Sequence, residues 1–133
     1  VDPARQVGRS DRWPAHATVI GQMLLSDLPE NEVRQRYRNF DDWDSFSELT
    51  PTNLKTLLQR LVYVKTQKTM VSWGHYNHDM AACAAPIFKQ SNGKMVAVIS
   101  VSCPITTYDE RTFKEDIASL VVETANKISK FIY

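Results

Sequence analysis

The residues of this chain best suited to chemistry are two serines that close an apolar run, Val96-Ala97-Val98-Ile99-Ser100-Val101-Ser102-Cys103-Pro104. Side chains two apart on a strand leave by the same face, so Ser100 and Ser102 point the same way. A hydroxyl both donates and accepts, which suits the oxygens of a carboxylate or a ketone. Neighbouring backbone would serve the same hydroxyls equally well. Ser91-Asn92-Gly93 separates this run from Ala81-Ala82-Cys83-Ala84-Ala85-Pro86-Ile87-Phe88, and two apolar runs about a turn signal predict an antiparallel hairpin. The turn decides which residue shares the serine face. A two-residue Asn92-Gly93 turn pairs Cys83 with Ser102. A three-residue loop with Gly93 left-handed slips the register by one and puts Ala82 there.

Other groups carry chemistry on paper. His75, His78 and Asp79, with a cysteine near, have the residue types of a metal-dependent enzyme. His-x-x-His without a second pair is also the pattern of a solvated loop. A Cys-His nucleophile lacks a third, orienting group. Cys83 and Cys103 sit on the two proposed strands, but a domain of this size needs no bridge, so a reduced, cytoplasmic pair is expected. Asp41-Asp42-Trp43-Asp44 reads as a solvated connection, its aromatics available to pack on a partner subunit.

The chain has 133 residues, 43% hydrophobic and 23% charged, with a formal net charge of +1. That is one domain with a real core and no whole-chain electrostatic case for nucleic acid or a membrane surface. No apolar run approaches the roughly 20 residues of a membrane span. The opening Val1-Asp2-Pro3-Ala4-Arg5 has no apolar h-region and no Met, which reads as a fragment or a processed product.

The elements that must position these residues follow from periodicity. Pro14 to about Ser26 is predicted helical, with Val19, Ile20, Met23 and Leu24 on one stripe. Gly21 inside it points to a close backbone approach. A second helix restarts at Asp27-Leu28-Pro29-Glu30, capped by Asp27 or Leu28. Asn39 to Leu49 is an irregular loop. Pro51 opens a long helix to about Gln67, whose Leu54, Leu57, Leu58, Leu61 and Val64 form a core stripe. Met70 to Trp73 is an edge strand, the hairpin follows, and a final amphipathic helix begins at Thr107-Tyr108-Asp109-Glu110. Three helices, three strands and a helix make an α+β domain, one antiparallel sheet with helices packed around it.

Val7-Gly8-Arg9, then Pro14-Ala15-His16-Ala17-Thr18-Val19-Ile20-Gly21 with Leu24-Leu25, resembles the signature of the effector-binding domain of IclR-type transcriptional regulators. The resemblance resumes at the Leu57–Val64 helix and runs through Ala82-Cys83-Ala84-Ala85-Pro86-Ile87-Phe88, Gly93, the serine strand and the closing helix. It implies a GAF-like α+β fold over residues 1–133 and no catalytic activity. The domain's opening helix and first strands, and the winged helix-turn-helix half, would be absent. It further implies a small organic acid or related metabolite as effector, homodimers or homotetramers, and DNA contact only through the missing half. Neither a cofactor nor a metal is implied.

In that family, backbone amides at the helix start hold the effector's carboxylate, which here falls on Val19 and Ile20. Unsatisfied amides at a helix start suit an anion; the bland alternative is that both side chains simply pack. Ser100 and Ser102 match the family's two strand hydroxyls. Counting without gaps from Val64 to Phe88, the family's aspartate falls on Ser72 and its cysteine on Ala82. Its paired glutamates fall on Gly74 and His75, and two glycines become Lys68 and Asp79. Losing a carboxylate and a thiol shifts the expected ligand away from glyoxylate or pyruvate, toward a larger aromatic or sugar-derived acid, or toward none. The rival from another class is a structural oligomerisation module with a degenerate pocket.

Overall fold

The structure, a computed structural model, describes residues 12–133; the Val7-Gly8-Arg9 block lies outside them. Its elements run α1 (Val19–Ser26), α2 (Glu30–Arg36), α3 (Leu54–Lys65), β1 (Met70–Trp73), β2 (Met80–Phe88), β3 (Met95–Pro104), α4 (Glu110–Thr112), a π-helical turn (Phe113–Ile117) and α5 (Ala118–Ser129). The predicted order and the α+β class hold. The three strands form one antiparallel sheet in the order β1-β2-β3, so β2 is central and paired on both sides.

β2 reads as alanines because each of its faces carries a layer. Ala81, Cys83, Ala85 and Ile87 pack against Phe113, Ala118, Val121 and Ala125 of the C-terminal helix. On the opposite face Ala84 and Met70 meet Val19 and Met23 of α1 and Val64 of α3. Small side chains let both helical layers approach a strand that is buried above and below. Behind α1, Leu25, Val33, Leu57 and Leu61 close a third cluster that fixes α2 and α3.

Three helix starts differ from the expectation. α1 begins at Val19, not Pro14, because Pro14–Ala17 forms a turn and Thr18, extended, caps the helix by accepting from the Gly21 N–H. Pro29 is itself the N-cap of α2, with no side-chain capping bond. α3 begins at Leu54 because Asn53 accepts from the Thr56 N–H at 2.8 Å. The last helix is capped by Asp109 and carries a π turn at the fully buried Phe113. Periodicity at 3.6 residues has no signal for that insertion.

The hairpin puts Ala82 opposite Ser102, Ala84 opposite Ser100 and Cys83 opposite Val101. That is the register in which Ala82 shares the serine face, but the turn differs from both sequence options. Lys89 N–H donates to the Lys94 carbonyl at 2.8 Å, Gln90–Gly93 loops between them, and Gly93 takes φ +68°. Val96 then bulges between the Phe88–Met95 and Ile87–Ala97 pairs and supplies the one-residue slip. Ser129 ties this end down: its Oγ accepts from Phe88 N–H at 3.0 Å and donates to the Ala125 carbonyl at 2.8 Å.

Candidate functional site

Ser72, Ala82 and Ser102 lie in one row across the three strands, with Met70, Ala84 and Ser100 in the next row of the same face. α1 crosses above them, and Val19 is buried against Met70 and Ala84. Five of the six residues singled out thus share the α1 side of the sheet. The sixth, Ile20, has a side chain that is 40% exposed and lies outside that core. Ser72 is buried, Ala82 and Ser100 are half-buried, and Ser102 is exposed. The serine pair therefore stands toward the rim. Cys83 points to the other face, into the C-terminal helix, where burial pushes its thiol up to about 11. It stays protonated at neutral pH and is no nucleophile.

The start of α1 is held from two directions. A Cβ on Gly21 would stand 2.5 Å from the Ala15 carbonyl oxygen, so only glycine lets the helix sit on the Pro14–Ala17 turn. Thr18 satisfies the Gly21 N–H, which leaves the Val19 and Ile20 N–H groups without an acceptor among the described residues. His16, 1% exposed, lies edge-on to Phe40 and Trp43, and its Nε2 is 3.2 Å from the Asp44 carbonyl oxygen. Phe40 and Trp43 thus pack within the chain, each half-buried, while Phe46 stays 40% exposed. The solvated connection expected there holds for Asp41, Asp42 and Asp44, which are exposed.

Between α1, α3 and the end of β1 lies a small cavity of about 20 Å³, room for about one water molecule. Val19 and Ser72 line it, and so do residues the sequence did not single out for binding: Gln22, Thr50 and Arg60. Gln22 is 5% exposed, donates Nε2–H to the His16 carbonyl at 2.8 Å and accepts from Arg60 Nε–H at 3.2 Å. Arg60 also lies over the Tyr63 ring, 5.1 Å from its centroid. Both were hidden in the sequence because a helix position records only its own stripe, not which loop or strand the flank will meet.

His75 lines the same cavity, and its N–H donates to Ser72 Oγ at 3.3 Å. Burial lowers the His75 imidazole below its usual value, the Lys114 and Arg60 cations lower it further, and Glu110 opposes them. His78 instead faces solvent, 3.5 Å from Asp79. No group of three metal-ligating side chains forms among the described residues. A larger concavity lies elsewhere: an open groove of about 450 Å³ along α5 with Ala118 and Val122 among its walls. Its Lys114 and Lys127 pair with Glu110 and Glu123, and none of the six residues reaches it.

Residues 4–130 match the family described as bacterial transcriptional regulator IclR C-terminal. The chain belongs to that family, which is one of transcriptional regulators and not of enzymes. Among relatives, it is 30% identical over 128 residues to the HTH-type transcriptional regulator KdgR of Escherichia coli, covering 93% of this chain and 45% of that protein. It is 27% identical over 122 residues to the Pca operon regulatory protein of Acinetobacter baylyi, covering 92% and 43%. The chain therefore spans less than half the length of these two regulators. In fold it resembles the PobR inducer-binding domain of Acinetobacter, solved as a double mutant with 3-hydroxybenzoic acid. That likeness has a TM-score of 0.75 and 22% identity, and covers 96% of this chain and 77% of that one. Among the described residues no helix is long and apolar enough to cross a membrane.

Proposed function

We propose that this chain is the effector-sensing domain of an IclR-type regulator and takes a small organic acid between the start of α1 and the sheet. The observation that supports this is the row of Ser72, Ala82 and Ser102 beneath α1, with Val19 buried beside it. The 3-hydroxybenzoic acid in the PobR domain supports a ligand of that class. In this reading the Val19 and Ile20 amides hold the carboxylate, and Ser100 and Ser102 take the remaining oxygens. Ser72 and Ala82 stand where an acid and a thiol would favour a small keto acid, so a larger aromatic or sugar-derived acid fits better.

Binding shifts the population of homodimer or homotetramer arrangements, and so the spacing of DNA-binding halves that lie outside residues 1–133. The reading places the domain in the cytoplasm and requires no cofactor and no catalytic step. The test is thermal melting with keto, hydroxy and aromatic acids. A bound acid at one hundred times its Kd adds about 2.7 kcal/mol. No rise in Tm with any of them would refute the sensor reading.

One observation favours a second reading. A cavity of about 20 Å³ is too small for an acid without movement of its walls, as a structural oligomerisation module with a closed pocket would require. That module gives a stable oligomer whose melting no acid changes; a monomer in light scattering would exclude it.

A further inference from the structure

Among the described residues, Arg60 is the one Lys or Arg that lines the small cavity at the start of α1. Its Nε is engaged by Gln22, and Gln22 is in turn fixed by the His16 carbonyl, so the chain His16–Gln22–Arg60 sets where the guanidinium points. The Tyr63 ring packs against the same group and limits its swing. A guanidinium carries five donors in a planar fork that matches a carboxylate. Only the Nε donor is used among the described residues, and none of their carboxylates pairs with Arg60.

The rest of the cavity wall carries no negative charge: Gln22, Ser47, Thr50, Ser72 and the half-buried His75 are its polar part, and Ala17, Val19 and Leu49 its apolar part. A cation that no carboxylate of the described residues pairs with, facing such a wall, discriminates by charge. A carboxylate is the simplest group that satisfies it.

We propose that Arg60 is the specificity-determining cation of this site, selecting carboxylate ligands over their uncharged counterparts, with Gln22 as its positioning residue. This rests on the sensor reading above and goes beyond it. There the helix-start amides and the strand hydroxyls hold the acid, and both also accept neutral ligands. Here α3 supplies the group that demands a charge, from a position outside the residues matched above to the family's site.

The test is isothermal titration of the full chain with 3-hydroxybenzoate and pyruvate, and with 3-hydroxybenzamide and pyruvamide as their uncharged counterparts. The native chain is expected to bind at least one acid, and to bind it at least tenfold more tightly than its amide. Arg60→Met is expected to weaken the acid by about tenfold or more while leaving the amide unchanged, the scale of one charged hydrogen bond. Arg60→Lys retains part of the preference, and circular dichroism confirms that each variant folds. Gln22→Met, which frees the guanidinium, is expected to reduce the acid-to-amide ratio without abolishing it.

The two failures differ. If neither acid binds, the titration is repeated with the acid that raises Tm in the melting panel and with its amide; if no acid of the panel does so, the sensor reading falls and Arg60 falls with it. If an acid binds, but Arg60→Met leaves the acid-to-amide ratio as it was, the sensor reading stands and the role of Arg60 is overturned.

Discussion

Gly21→Ala is the perturbation that probes the site's scaffold most directly. Helix propensity alone makes it stabilising by about 1 kcal/mol, because glycine in a helix interior is the weaker residue. The structure reverses the sign. The added Cβ meets three backbone atoms of Ala15, among them the carbonyl oxygen at 2.5 Å and the carbonyl carbon at 2.8 Å. Backbone cannot rotate aside as a side chain can, so α1 must rise off the Pro14–Ala17 turn. Overpacking of this kind costs up to about 3 kcal/mol. Stretching the Thr18 cap on the Gly21 N–H adds about 1 kcal/mol. Set against the propensity gain, the net loss is about 2–3 kcal/mol. For a domain of this size that lowers Tm by roughly 6–12 °C. Urea unfolding and a thermal melt measure it, and the shift that acids give in the native chain should shrink with it. A variant as stable as the native chain, or more so, would refute the reasoning: the turn would then be free to give way.

Ser129→Ala leaves the Phe88 N–H without its partner and should cost about 1–2 kcal/mol in urea unfolding. An effect within 0.5 kcal/mol or so would mean that water replaces the hydroxyl. Cys83, buried and pushed up to about 11, should resist a thiol reagent at pH 8 until the chain unfolds, while Cys103, half-buried, reacts in the native state. Two fast thiols would contradict that placement. His75, lowered by burial, binds its proton less readily in the folded chain than in the unfolded one. Stability should therefore fall as pH drops below about 6.5, where the unfolded chain takes up that proton first. His75→Gln should flatten this part of the pH profile; an unchanged slope would assign the loss to other groups.

The sequence by itself determined the elements wherever a local rule decides them. β1 runs Met70–Trp73 as read, the α3 stripe buries Leu57, Leu61 and Val64, and Gly21 marks a close backbone approach. These follow from side-chain periodicity and from the one residue without a Cβ, both of which are written in the chain. The family signature was legible for the same reason, since its blocks are contiguous in sequence.

The tertiary structure decided what depends on partners far along the chain. The hairpin register needed a bulge at Val96, which neither turn option contained, and that bulge carried Ala82 to the serine face and Cys83 away from it. His16 became a buried anchor because Phe40, Trp43 and Phe46 return to pack around it. The site was read as helix-start amides and strand serines because those lie on recognisable stretches. Its cation, Arg60, stood on the flank of a helix whose periodicity spoke only for the core. Nothing in the order of residues places Arg60 beside Gln22, 38 positions away; that proximity exists only once α1 and α3 have packed.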